Sequence, residues 1–151
     1  MTPALHSRPR GADTLDGAIA ALRAGGLRVS AARRLVLEAL FAADGPATVE
    51  ELADGVGGRV PRSDVASTYR NLETLESIGM VRHIHLGHGP GRYELTGRDH
   101  GWATCEACGR STPLPSPALQ AIRLAAREAA GFEPAFTHFP LVGLCGDCRA
   151  T

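Results

Sequence analysis

"SDVASTYRNLETLESIGMVRHIHLGHGPGRYEL", residues 63–95, changes its hydrophobic period partway along, and that change decides the fold. Up to Gly79 the apolar residues Val65, Leu72, Leu75 and Ile78 recur at helical spacing. Beyond it the period falls to two. In "VRHIHL", Val81 is followed by Ile84 and Leu86, while His83 and His85 share the opposite face. "GHGPG" (87–91) supplies a turn, and "RYEL" returns with Tyr93 and Leu95 alternating against Arg92 and Glu94. A helix that runs into a two-stranded hairpin is the closing half of a winged helix-turn-helix.

Three further helices precede it. "DTLDGAIAALRA" (13–24) places Leu15, Ile19 and Leu22 on one face, and Gly25-Gly26 stops it. "SAARRLVLEALFAADG" opens with Ser30 as N-cap and stacks Val36, Leu37, Leu40 and Phe41. "TVEELADGVGG" opens with a capping box, Thr48 to Glu51, and breaks at Gly57-Gly58. The helix from Thr48, the turn "GGRVPR" and the helix from Ser63 form the expected DNA-reading pair.

Downstream, "TGRDHG" (96–101) is polar and turn-rich and reads as a hinge. Past it come a strand into "WATC", a helix capped by Ser116 with Pro117 at its first position and ending at Gly131, and a final strand "AFTHFPLVGLC". The expectation is an α+β chain. Residues 1–12 form a loose tail, 13–95 a winged-helix DNA-binding domain, 96–101 the hinge, and 102–151 a small α/β domain.

Composition narrows the function. At 151 residues and 44% hydrophobic the chain is globular. No apolar run approaches the ~18 residues a membrane span needs, and "MTPALHSRPR" lacks a signal peptide's apolar stretch, so the cytoplasm is the expected location. Sixteen basic residues, all Arg, balance sixteen acidic ones. That excludes a broad basic surface but not a local Arg cluster. Within the helix from Ser63, the residues Ser67, Thr68, Tyr69, Arg70 and Asn71 suit phosphate anchoring and base-edge hydrogen bonds, with Arg62 and Arg33-Arg34 able to add phosphate contacts.

All four cysteines fall in two C-x-x-C pairs, Cys105/Cys108 and Cys145/Cys148, with 36 residues between the pairs. Four thiolates are the ligand set of a tetrahedral structural zinc site, and a lobe of about 50 residues gains from such a crosslink. Disulfides or a rubredoxin-like iron site would use the same residues; zinc is the expectation. His83 and His85 project the same way, about 6–7 Å apart. They could share one divalent cation with His138 of "FTHF", with His88, Glu94 and His100 as further candidates. Imidazole suits Zn, Ni, Cu or Fe, so donor type does not choose the metal.

Together these features resemble the ferric uptake regulator (Fur) family of metal-dependent repressors. The carriers are "GLRVSAARRLVLEAL", "STYRNLETLESIGMV" (close to the family's T-V-Y-R-x-L recognition helix), "YEL", and the spaced cysteine pairs. The resemblance implies a homodimer with a C-terminal dimerisation domain, binding palindromic operators in double-stranded DNA. It also implies DNA contacts at Tyr69 and Arg70 and structural zinc on the four cysteines. The chain departs from the family where a histidine-rich stretch usually precedes the first cysteine pair: here stands "RDHGWATC", which retains only Asp99 and His100. Pro46 also replaces a usual ligand. "HIHLGHG" and "THFPLVGLC" are similar to the nickel-responsive (Nur) branch, which implies a nickel site at His83, His85 and His138, with Zn2+ or Fe2+ as alternatives.

The expectation is therefore a metal-responsive repressor with no small organic substrate and no membrane partner. The alternative is a Fur-like regulator with structural zinc only, constitutive or redox-controlled through its cysteines. A zinc hydrolase using Glu94 as base is disfavoured, since no H-E-x-x-H motif occurs.

Overall fold

A computed structural model describes residues 12–97 and 100–151. Most of the expected tail, and Asp99 of the expected hinge, lie outside them. Contacts divide the chain into two units, Met1–His83 with Arg92–Arg98, and Ile84–Gly91 with Asp99–Thr151. The hairpin tip (84–91) groups by contacts with the second unit.

The first unit is built from capped helices. In α1 (Leu15–Ala24) the Thr14 side chain accepts from the Gly17 N–H, and Gly25 closes the helix. In α2 (Ala31–Ala42) Ser30 accepts from the Arg33 N–H. The Thr48–Glu51 capping box of α3 (Val49–Ala53) is complete in both directions. The break after α3 comes earlier than the sequence indicates. Gly55 takes φ +87, and a Cβ there would lie 2.2 Å from the Val60 carbonyl oxygen. The short turn α4 (Gly55–Gly58) then carries Val56 at φ 54, left-handed backbone that L residues adopt at a cost.

α5 (Val65–Ser77) starts one residue later than read, with Asp64 rather than Ser63 as N-cap, accepting from the Ser67 N–H. Its buried face is also rotated from the expected one. Leu72 and Leu75 are fully buried, but Val65 and Ile78 are 47% and 44% exposed, and Thr68 and Asn71 point inward instead. β1 (Val81–Ile84) and β2 (Arg92–Leu95) form a two-stranded sheet, extended by a bridge between Ala47 and Tyr93. The core joins Ile19, Leu22, Val36, Leu37, Leu40, Leu52, Leu72, Leu75 and Val81.

The second unit is a three-stranded sheet with one long helix. β3 (His100–Cys105) lies centrally, antiparallel to β4 (Ser111–Pro115) and parallel to β5 (Leu141–Gly143). The periodicity gave no sign of β4, because Pro113 and Pro115 argue against a strand; at the sheet edge they are tolerated. α6 (Ser116–Ala130) ends at Gly131 in the left-handed conformation. Ser116 is its first residue and not its cap; its hydroxyl accepts from Gln120. Leu119 packs against Gly101, where a Cβ would come within 2.9 Å of the leucine. The expected strand over "AFTHFPLVGLC" is reduced to β5, since Phe136 has φ 54, Pro134 precedes the stretch and Pro140 interrupts it. α7 (Gly146–Arg149) closes the chain.

Candidate metal centres and nucleic-acid interface

The cysteines sit on two tight turns. After β3 the Gly109 N–H donates to the Cys105 carbonyl, with Gly109 at φ +75. The second pair is brought alongside by β5, where the Glu106 N–H donates to the Gly143 carbonyl. One sulfur from each of Cys105, Cys108, Cys145 and Cys148 lies within 4.8 Å of the others, and Cys108 Sγ is 3.8 Å from Cys145 Sγ. A tetrahedron with Zn–S arms of about 2.3 Å has edges of about 3.8 Å, the Cys108–Cys145 separation, and four thiols gathered this closely are the donor set that a structural zinc takes. N–H groups of Cys145 and Cys108 hold the Cys105 thiol down to about 6. Hydrogen bonding to the sulfurs of Cys145, Cys105 and Cys108 pushes Cys148 up to about 12. Arg110 donates to Asp147 across the two turns at 2.9 Å.

Three of the histidines also come together. One ring nitrogen from each of His83, His85 and His138 lies within 4.8 Å of the others. β1 ends at Ile84 rather than Leu86 because the His85 N–H donates to the His138 carbonyl at 3.1 Å. The rings of His85 and His138 meet edge to face at 5.0 Å, and Phe139 packs on both. His83 stacks on Tyr93 with ring centroids 4.9 Å apart, and burial pushes the Tyr93 phenol up. The reserve candidates do not join this group. His88 is exposed in the turn, and His100 meets Trp102 edge to face. Glu94 is buried against Arg82, whose Nε donates to its Oε1 at 2.6 Å.

The expected DNA-reading residues divide into two sets. Tyr69 and Arg70 are exposed on α5 and Ser67 is half-buried, while Arg62 is exposed and pairs with Asp54. Thr68 and Asn71, expected among the contacts, do not face outward. Thr68 is 1% exposed and donates to the Asp64 carbonyl, with its oxygen 2.9 Å from the Ser63 hydroxyl. Asn71 is 8% exposed and accepts from Arg33 Nε, so Arg33 is turned partly inward too. This link spans 38 positions, too far for any local pattern to signal it.

A winged helix with an exposed reading helix, accompanied by a four-cysteine centre, defines a class of metal-binding, DNA-binding regulators. The model of the ferric uptake regulator family matches residues 24–139, and the chain belongs to that family of metal-responsive transcriptional regulators, which are not enzymes. It is 27% identical over 135 residues to the peroxide-responsive repressor PerR of Staphylococcus saprophyticus, covering 89% of this chain and 91% of that one. It is 27% identical over 137 residues to the peroxide operon regulator of Bacillus subtilis, covering 91% and 94%. Among solved structures, Fur of Helicobacter pylori, described with three functional metal-binding sites, superposes with a TM-score of 0.67 at 18% identity over 97% of this chain and 99% of that one. The Pseudomonas aeruginosa regulator with manganese gives 0.65 at 22% identity, over 85% and 97%. At these identities the structural likeness is one of fold. Among the described residues, no helix is long and apolar enough to cross a membrane.

Proposed function

We propose that this chain is a homodimeric cytoplasmic repressor. Its affinity for palindromic operator DNA rises when a divalent ion is held by His83, His85 and His138, with nickel favoured over zinc or iron. The observation that carries the reading is the convergence of three imidazoles within 4.8 Å. Three neutral nitrogen donors select borderline transition ions over magnesium or calcium, which prefer oxygen. Phe139 stacks on His85 and meets His138 edge to face, which braces the two rings. Regulation follows if the metal-bound arrangement is the one that presents Tyr69 and Arg70 to successive major grooves. The four cysteines hold a structural zinc that serves the second unit's stability and takes no part in sensing. Exposed Leu124, Phe132, Val142 and Leu144 supply the apolar area that a dimer would bury.

The test is metal analysis before and after dialysis against a mild chelator, with DNA binding followed on the same samples. One tight zinc and one exchangeable ion per chain, with DNA affinity tracking the second, supports the proposal. A second reading draws on the two peroxide-responsive relatives. In it the cysteines oxidise, zinc leaves and DNA is released. DNA binding that is lost with peroxide yet indifferent to nickel and added zinc selects that reading.

A further inference from the structure

We infer that Arg33 and Asn71 are positioning residues that aim the reading helix, and that neither reads a base. The inference rests on the DNA-binding role proposed above.

α5 is held to its neighbours by two kinds of contact. Leu72 and Leu75 are fully buried in the apolar core. Such contacts are strong but non-directional, so they tolerate small rotations of the helix about its own axis. The polar contacts are directional. Arg33 on α2 donates through Nε to Asn71 Oδ1 at 3.1 Å and through a terminal nitrogen to the Arg28 carbonyl at 2.8 Å. Asn71 Nδ2 donates to the Ser67 carbonyl one turn back at 2.9 Å. One guanidinium thus ties the α1–α2 loop, α2 and the middle of α5 together. A planar fork with fixed donor directions admits little rotation before these bonds fail.

The placement matters because of what lies on the other side of the helix. Asn71 directly follows Tyr69 and Arg70, both exposed. About 100° of turn separates successive residues, so fixing Asn71 inward fixes the other two outward. A second lock, Ser63–Thr68–Asp64, holds the first turn. Asn71 is 8% exposed and has spent one lone pair on Arg33 and one N–H on Ser67, so its amide edge is not presented for a two-pronged contact to adenine.

The experiment uses full-length, metal-loaded protein and a duplex enriched by the unaltered protein from random-sequence DNA. Asn71→Leu, Arg33→Met and the double variant are measured on that duplex, on its single-base variants and on a scrambled duplex. Each single variant should lose roughly 10–100-fold in affinity for the enriched duplex. The double variant should be no worse than the poorer single one, because both remove the same tie. The loss should spread over every position of the site, while binding to the scrambled duplex and its salt slope stay as they were. Arg33→Lys, which keeps a donor near Asn71 on an unaltered core, should lose less than Arg33→Met and serves if either larger change prevents folding.

Loss of discrimination at a single base pair on Asn71→Leu overturns the positioning role in favour of direct readout. A salt slope shallower by about one unit on Arg33→Met overturns it in favour of a phosphate contact. Additive single effects overturn it as well. Failure of the unaltered protein to enrich any duplex overturns the DNA-binding reading itself, a result distinct from these.

Discussion

The two units of this chain achieve order by different means. The first buries Leu22, Leu37, Leu52, Leu72, Leu75 and Val81 almost completely around helices with side-chain caps. The second has few such residues: Leu119 and Ile84 are its fully buried large side chains among the described residues, while Leu124, Phe132, Phe139, Val142 and Leu144 face outward. A unit of that size has too little core to be comfortable alone. What it has instead is four sulfurs at tetrahedral spacing. Hydrophobic order is spread over many contacts and degrades gradually, whereas crosslinked order depends on one ion and fails at once.

The contrast can be broken most directly at the cysteines. Cys105→Ser, or removal of the tight metal by a strong chelator, should unfold the second unit and spare the first. Zinc binding by small domains contributes about 10–16 kcal/mol, as much as a whole domain's stability. Hydrogen exchange checks this: amides of β3 and α6 should lose protection while those of α2 and α5 keep it. Equal loss in both units would remove the distinction. Acid should act in the same direction, because thiolates must be deprotonated to hold a metal. As pH falls the thiolates protonate and the metal is released.

The converse change belongs to the first unit. Leu37→Ala, at a site with no exposure, should cost about 2–5 kcal/mol in denaturant unfolding and leave the tight metal content unchanged. His85→Ala should shift unfolding by no more than about 1 kcal/mol, yet abolish the exchangeable metal and the metal response of DNA binding in a gel-shift titration. An unaltered response would remove the histidines from sensing. The smallest effect should come from Arg34→Ala. Its pair with Glu38 is solvent-exposed, and thermal melts should move by less than about 0.5 kcal/mol.

The sequence announced elements whose signals are local. Ser30 and the Thr48–Glu51 box cap helices by reaching three residues along the chain, and the structure has both. The switch from helical to alternating period at Gly79 located the wing. Errors arose where partners are distant. Val65 and Ile78 are apolar and correctly spaced, yet they stay nearly half exposed, because the packing around α5 turns the Thr68–Leu72–Leu75 face inward. Thr68 and Asn71 looked like readers because a polar residue on a helix usually faces water. Their partners, Ser63, Asp64 and Arg33, become visible only when the helices pack.

The sequence by itself determined the helix caps, the hairpin and which donor types stand in short-range pairs, since these are written in residue order. Tertiary structure alone decided which face of α5 is free, and that His138, 53 positions beyond His85, presents its imidazole beside it. Those outcomes depend on how separate segments fill shared space, and no periodicity along one segment carries that information.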